Sequence, residues 1–191
     1  MQKLELKDVL APHAFASVRD ERRSAVIALK KKRRVSVGPQ VTLVFENRET
    51  MRWQVEEMCR AESITEPAKI QSELDTYNGV LPGDGGLAAT LFIEVQSDLA
   101  LRRTLDSLVG LQNHVWIAVG SERVRATFDE DQFTTDKLAA VQYLKFPLSA
   151  SARALLLVPG ADARVAIDHP EYAHEARLSE ATRAELARDV M

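Results

Sequence analysis

The feature that most constrains the fold is the placement of β-rich segments in adjacent pairs, with helical segments between the pairs. HVWIAVGSERVRATF predicts two strands that turn at Gly120-Ser121, and ARVAIDHPEYAHEARL predicts a second hairpin that turns at His169-Pro170. RVSVGPQVTLVFE predicts two extended pieces separated at Gly38-Pro39, because proline cannot continue a helix. We therefore predict an α+β fold: a mainly antiparallel sheet with helices packed against it.

Residues that begin and end helices divide the rest of the chain. One helix is predicted from about residue 19 to residue 32, and Pro12 opens a segment that either is part of this helix or lies just before it. A second helix follows Asn47 as its N-cap. A third runs from about residue 65 to Gly79, where a left-handed glycine would end it. Ser97 and Ser179 are the predicted N-caps of two later helices, and DEDQFTTDK is a predicted polar loop.

The composition is that of a globular protein. Of 191 residues, 46% are apolar and 28% are charged, and a chain of this size buries roughly two thirds of its extended surface on folding. The start, MQKLELKDVL, lacks the basic leader and apolar stretch of a secretory signal, and the longest apolar runs are too short to span a bilayer. The single cysteine, Cys59, suits a reducing compartment. We expect one domain, residues 1–191, in a soluble cytoplasmic protein that does not enter a membrane.

Charge is unevenly distributed along the chain. Residues 19–34, RDERRSAVIALKKKRR, include eight basic and two acidic residues, so their local charge is +6 and the other 175 residues sum to −9. A basic helix can bind an anionic partner, but cations also suit the negative end of the helix dipole in a solvated helix end. The second interpretation is preferred. Nucleic acid is a disfavoured partner, because the aromatic residues that stack on bases are missing nearby.

Signature motifs of familiar enzymes are absent from the sequence. There is no GxxxxGK[ST], HExxH, CxxC or GxSxG, and the glycine cluster PGDGG precedes a predicted strand instead of opening a helix. Cys59 falls on the apolar face of its helix, where a thiol is usually a small hydrophobic group. The sequence therefore assigns no catalytic residue, metal or cofactor.

The helix within ENRETMRWQVEEMCRAE has polar residues on its apolar stripe. At 100° per residue, Arg48 and Glu62 fall inside the stripe, whereas Trp53 falls on the charged side with Arg60. Arg48 and Glu62 are either end residues whose long side chains reach water, or Arg48 faces an anion in a pocket. Trp53 either covers a neighbouring segment or forms a protein interface together with Arg60.

Three apolar strands each end in a carboxylate: VTLVFE at Glu46, ATLFIE at Glu94 and ARVAID at Asp168. If these strands are neighbours that point the same way, the carboxylates and Arg48 gather at one edge of the sheet. Such a cluster could hold a divalent cation through its oxygen atoms or keep one acid protonated for acid-base chemistry. The alternative is that they are ordinary surface residues at strand ends.

Several segments resemble an uncharacterised bacterial family of conserved proteins, a domain of unknown function. The likeness rests on RRVSVGPQVTLVFENRETMRWQVEEMCRAE, ELDTYNGVLP, ATLFIE and IDHPEY, which are spread over most of the chain. The resemblance implies a bacterial cytoplasmic setting and, through a frequent association with rubrerythrin-like and iron-sulfur proteins, an accessory role in redox or oxidative-stress metabolism. It assigns no substrate. The matching polar positions include the residues predicted to bind a ligand: Glu46, Arg48, Glu94, Asp168 and His169.

Two hypotheses of function follow. In the first, an accessory or binding protein uses its basic helix, Trp53 and Arg60 to dock a redox-protein partner or a second copy of the chain, forming a homodimer. In the second, an enzyme acts on an anionic small molecule or depends on a divalent metal. Its carboxylates would be ligands or acid-base groups, and Arg48 would hold the anion through its fixed fork of donors. The first is preferred, because no recognised catalytic constellation is present.

Overall fold

The computed structural model describes residues 1–83, 85–129 and 138–191. The helices in these ranges are α1 (Pro12–Arg33), α2 (Arg48–Ala61), α3 (Pro67–Val80), α4 (Asp98–Ser107), α5 (Ala150–Leu157) and α6 (Glu180–Ala187). The strands are β1 (Arg34–Val37), β2 (Val41–Glu46), β3 (Leu87–Ile93), β4 (Val115–Val119), β5 (Glu122–Arg125), β6 (Thr127–Phe128), β7 (Val141–Phe146), β8 (Ala163–His169) and β9 (Tyr172–Arg177). Of the predicted loops, most of DEDQFTTDK and one residue of PGDGG lie outside the described residues.

The strands form two antiparallel sheets. The first has the order β1-β2-β3-β7-β6 and the second the order β5-β4-β8-β9. Every neighbouring pair is antiparallel. The predicted α+β class with antiparallel pairing is therefore confirmed, with the difference that two sheets are present instead of one. The chain passes from the second sheet to the first at Ala126, between β5 and β6.

The two sheets pack face to face around one hydrophobic core. Leu43 and Leu91 of the first sheet and Ile117 and Val165 of the second are fully buried in this core. The other face of the first sheet is covered by α1, α2 and α3. Apolar residues of α2 and α3, among them the fully buried Val55 and Leu74, form a second cluster there. The molecule therefore has three layers: helices, first sheet, second sheet.

Layering explains why the strands differ in hydrophobic pattern. Strand β2 is covered on both faces, so all six of its residues are buried. Strand β4 buries alternate residues, because one face lies on the core and the other is partly open to solvent. Polar side chains on the outer face of the second sheet are therefore accessible to a ligand or partner.

Most predicted helix starts are confirmed. The Asn47 side chain accepts hydrogen bonds from the backbone N–H of Glu49 and Thr50, and Ser97 and Ser179 cap α4 and α6 in the same manner. Helix α1 begins at Pro12, so the segment that Pro12 opens is part of the helix. Proline fits the first helical position, because the N–H that it lacks would have no intrahelical partner there.

One predicted helix end and one predicted hairpin turn differ in detail from the structure. Gly79 does not end α3: it lies within the last turn, its φ is not positive, and the helix continues to Val80. Leu81 is extended because Pro82 follows it, and proline disfavours a helical conformation in the residue before it. The second hairpin turns one residue later than predicted, because His169 pairs with Tyr172.

Within the described residues, no helix combines the length and the apolar composition needed to cross a membrane. The assignment of residues 1–191 to one domain stays a prediction.

Candidate functional site

The predicted carboxylates are not brought together. Strands β2 and β3 are antiparallel neighbours, so Glu46 at the end of β2 lies beside Ala88 at the start of β3, and Glu94 follows the opposite end of β3. Asp168 lies in the second sheet. The condition for a shared carboxylate cluster, parallel neighbouring strands, is therefore not met. Among the described residues, no group of three or more His, Cys, Asp or Glu side chains could hold a metal ion.

Glu46 and Glu94 have different surroundings. Glu46 is buried beneath the helical layer, where one carboxylate oxygen accepts a hydrogen bond from Thr90 Oγ1 at 2.8 Å and lies 4.0 Å from Lys30 Nζ. Glu94 is exposed and accepts two hydrogen bonds from the Arg34 guanidinium, at 2.8 and 2.9 Å. An exposed pair of this kind contributes little to stability. Each glutamate thus has a local partner, and neither faces the other.

Asp168 is the centre of a polar cluster on the outer face of the second sheet. Its carboxylate accepts hydrogen bonds from Trp116 Nε1 at 3.0 Å and from Arg123, and it shares one with His114 Nδ1 at 3.0 Å. The Arg123 guanidinium also lies 4.1 Å from the centroid of the Trp116 ring. Partial burial raises the pKa of Asp168, but the donors Trp116, His114 and Arg123 outweigh that effect, so its pKa lies below the usual value. The sequence pattern predicted Asp168 but not its three partners.

His169 has both ring nitrogens engaged within the fold. Nε2 lies 3.1 Å from the carbonyl oxygen of Val109, and Nδ1 accepts a hydrogen bond from the backbone N–H of Glu171 at 3.2 Å. The ring is buried. With the proton on Nε2, the side chain satisfies both contacts, so its position fits a structural role in the β8–β9 turn.

Trp53 packs against another helix of the same chain. Its ring meets Phe15 of α1 edge-on, with 5.4 Å between the ring centroids, and Arg19 lies 6.0 Å from its centroid. Arg60 is exposed and pairs with Glu57 at 3.1 Å. The contacts agree with the interpretation that Trp53 covers a neighbouring segment. An interface formed by Trp53 and Arg60 stays a prediction.

Most of the basic segment is paired within the fold. Arg23, Lys31 and Lys32 are exposed and have no ion pair among the described residues. The other five cations each have an acidic neighbour: Arg19 with Glu57, Arg22 with Glu56, Lys30 with Glu46, Arg33 with Glu185 and Asp189, and Arg34 with Glu94. Glu56 is buried where α2 contacts α1. The segment's charge therefore serves largely to join α1 to the rest of the chain.

Cys59 is buried in the helical layer, as its position on the apolar stripe predicts. Burial raises the pKa of its thiol, so the thiolate is disfavoured at neutral pH. The side chain behaves as a small hydrophobic group.

Three arginines from separate segments line one cavity of about 420 Å³. Arg48 begins α2, Arg153 lies on α5 and Arg188 follows α6. We call this cavity the arginine pocket. Sequence reasoning identified Arg48 but missed Arg153 and Arg188, because neither residue interrupts a local pattern.

Each arginine of the pocket is held differently. Arg48 pairs with Asp8 at 2.5 Å, which lowers the pKa of that aspartate, while its buried Nε has no hydrogen-bond partner among the described residues. Arg188 pairs with Glu185 at 3.2 Å. The Arg153 side chain crosses the backbone at Gly85, where a Cβ on residue 85 would overlap the Arg153 guanidinium. Arg153 has no ion pair with a described residue. Arg153 is therefore the cation of the pocket without a counter-charge in the described part of the chain.

The carboxylate of Asp189 at the arginine pocket is neutralised by a buried arginine. Asp189 lines the pocket, and Arg33, which is fully buried, contacts its carboxylate. Burial raises the pKa of Asp189, and the Arg33 guanidinium opposes that rise. Glu49, the other acidic side chain among the described lining residues, pairs with Arg52 at 2.5 Å. Among the side chains of the described residues that line the pocket, three arginines exceed two acids, and this excess of positive charge suits an anion.

Comparisons with known proteins agree with the resemblance described above. The chain is similar over its whole length to a crystal structure from Burkholderia pseudomallei K96243, described as a novel protein of unknown function, with 37% identity, full coverage of both chains and a TM-score of 0.93. No curated protein matches the chain. The family model described as "Protein of unknown function (DUF3501)" matches residues 3–190. The chain therefore belongs to the DUF3501 family of proteins of unknown function.

Proposed function

We propose that the protein binds a small anionic molecule of the carboxylate or phosphate type in the arginine pocket. The observation that carries this proposal is the convergence of Arg48, Arg153 and Arg188 on one cavity of about 420 Å³. Bringing guanidinium groups together is unfavourable unless anions offset their repulsion. Acidic side chains pair with Arg48 and Arg188, and Arg153 has no such partner among the described residues. A bound anion would supply it.

The chemistry of arginine fits this ligand class. A guanidinium presents its donors in a planar fork that matches the two oxygens of a carboxylate or phosphate. The buried Nε of Arg48 has no partner in the described structure, and a buried donor of this kind normally has one. An anion held between Arg48 and Arg153 would accept hydrogen bonds from both. Gly85 supports the arrangement, because it leaves room for the Arg153 side chain.

The wider role in this proposal is that of an accessory or binding protein. The redox or oxidative-stress setting and the cytoplasmic location rest on the family resemblance. A redox-protein partner or homodimer would dock through Trp53 and Arg60, of which Arg60 is the more exposed. Light scattering and pull-down assays on Trp53→Ala with Arg60→Ala test this part, and an unchanged assembly would count against it.

Thermal unfolding and calorimetry at constant ionic strength test the anion site, with inorganic phosphate and citrate as probes. A ligand at about 100 times its Kd stabilises the folded state by about 2.7 kcal/mol, which raises the Tm measurably. Arg153→Gln should weaken binding at least about tenfold, corresponding to the loss of about 1.4 kcal/mol of binding free energy. The matched control is Arg23→Gln, which removes an exposed arginine of α1 that does not line the pocket. Equal affinities in the two variants, or no binding by the wild type, would refute the proposal.

A further inference from the structure

Gly79 is a glycine for which the fold gives no structural reason. It lies within α3 and its φ is not positive, so no left-handed conformation requires it. A Cβ built at this position would meet no atom within 4 Å, so no close packing requires it either. Glycine in a helix costs about 1 kcal/mol relative to alanine. The missing side chain instead leaves open space.

The open space at Gly79 is the edge of a second cavity. This cavity, of about 440 Å³, lies between α3 and strands β6 and β7, and we call it the α3 cavity. Its wall on the α3 side includes Tyr77, Gly79 and Val80, and its wall on the sheet side includes Tyr143 and Lys145. It shares no lining residue with the arginine pocket.

The register of the first sheet explains the sheet-side wall. Tyr143 pairs with Thr90 and Lys145 pairs with Ala88, and alternate residues of a strand point to the same face. Tyr143 and Lys145 are therefore on the face that the helical layer covers. Tyr143 and Lys145 are only partly buried, because α3 does not cover them fully. The cavity lies between α3 and these two residues.

The polar groups of the described residues that line the α3 cavity are one ammonium (Lys145), one carboxylate (Asp129) and the hydroxyls of Thr76, Tyr77, Thr127 and Tyr143. The Lys145 ammonium has no ion pair with any described residue. Burial, followed by the proximity of Tyr77 and Glu46, raises the pKa of Tyr143, so its hydroxyl stays protonated at neutral pH. The other described lining residues are apolar: Gly79, Val80, Phe128 and Leu144. A cavity with an apolar wall and a few convergent polar groups is the usual form of a small-molecule site.

We propose that the α3 cavity binds a small molecule with a planar apolar body and one anionic group. The body would lie between Tyr77, Val80 and Tyr143, and the anionic group would pair with Lys145. Gly79 keeps the entrance open, which accounts for a glycine in a helical position where alanine would be more stable. This site is separate from the proposed function, and either can fail without the other.

Two fluorescent probes with related ring systems test the proposal. 8-Anilinonaphthalene-1-sulfonate carries one anionic group, and N-phenyl-1-naphthylamine has the same rings without it. Gly79→Met fills the entrance, and Lys145→Met removes the charge while keeping an apolar stem. Their controls are Ser72→Met and Lys69→Met, at exposed positions of α3 that do not line the cavity. The fold should tolerate Gly79→Met, because methionine favours a helix more than glycine does, and an unchanged or higher Tm checks this.

We expect Gly79→Met to lower the affinity for both probes about tenfold or more. Lys145→Met should lower the affinity for the sulfonate probe alone, by a similar factor. The two control variants should bind both probes as the wild type does, and phosphate stabilisation should be unchanged in Gly79→Met. Wild-type affinity for both probes in Gly79→Met would overturn the cavity assignment. Equal loss of both probes in Lys145→Met, or no loss of either, would overturn the assignment of Lys145 as the anion-binding group.

Discussion

Arg33 at the end of α1 and Asp189 after α6 form a buried ion pair across the molecule. The Arg33 guanidinium contacts the Asp189 carboxylate and also lies 3.2 Å from Glu185. It donates further hydrogen bonds to the backbone carbonyls of Phe45 and Glu46, at 2.8 and 3.2 Å. One fully buried side chain therefore joins the first helix, the end of β2 and the last residues that line the arginine pocket.

Arg33→Met should be strongly destabilising, by about 3–5 kcal/mol, because it leaves Glu185 and Asp189 buried without a counter-charge. Urea unfolding measures this free energy, and Arg23→Met is the exposed control, expected within about 0.5 kcal/mol of the wild type.

The loss in free energy of unfolding caused by Arg33→Met should also depend on pH. Without Arg33 the folded-state pKa of Asp189, which burial already raises, rises further above its unfolded value. The folded variant then binds more protons than the unfolded chain, so the deficit should be smaller at about pH 4 than at about pH 7. A deficit that does not change with pH would contradict this account.

Gly85→Ala should weaken phosphate binding, although it should lower the free energy of unfolding no more than a control substitution at Gly160 does. Gly85 has φ 73° and Gly160 has φ 76°, so alanine at either position costs about 1–2 kcal/mol of backbone strain. Only at Gly85 would the new Cβ overlap a side chain, that of Arg153, whose flexible end can move away. Urea unfolding should therefore give similar losses for Gly85→Ala and Gly160→Ala, whereas calorimetry with phosphate should show weaker binding in the first alone. Equal phosphate affinity in the two variants would show that Arg153 does not need its present position.

Tyr172→Phe should destabilise the packing of the two sheets. The Tyr172 hydroxyl donates to the carbonyl oxygen of Val37 at 2.7 Å and accepts from the backbone N–H of Gln40 and Val41, at 3.0 and 3.2 Å. Loss of the hydroxyl leaves buried backbone groups unpaired, which costs about 1–3 kcal/mol. Hydrogen exchange of the Val41 amide should quicken with the fall in global stability. A loss below about 0.5 kcal/mol would mean that water replaces the hydroxyl.

The low pKa of Asp168 should depend on its donors. NMR titration of the Asp168 carboxyl carbon should show a pKa below the usual range, and Trp116→Phe or Arg123→Gln should each raise it by removing one donor. Because the folded-state pKa is below the unfolded value, the stabilisation is present above the unfolded pKa and is lost as pH falls through the folded value, below about pH 4. Arg23→Gln, on α1, should leave the titration unchanged. Unaltered titration in both donor variants would contradict the assignment of the cause.

Local features of the sequence predicted the fold class and many of its element ends. Asn47, Ser97 and Ser179 begin helices because a side-chain oxygen can accept from backbone N–H groups two or three residues later, within a single turn. The first hairpin turns at Gly120 because glycine accepts the φ of 57° found there. The prediction that a left-handed Gly79 ends α3 was wrong, because Gly79 is helical like the residues around it. The helix ends at Val80, since Pro82 disfavours a helical conformation at Leu81.

Only the tertiary structure decided which residues form a site. The sequence placed Glu46, Glu94 and Asp168 at strand ends, but strand order and direction put them in three different surroundings. Arg48 could be identified from its place on a helix face, whereas Arg153 and Arg188 join it only through the packing of α5 and α6. The physical reason is the distance along the chain over which each feature is determined. Caps and turns depend on neighbours within a few residues, whereas this cavity is lined by segments more than 100 residues apart, such as those of Arg48 and Arg153.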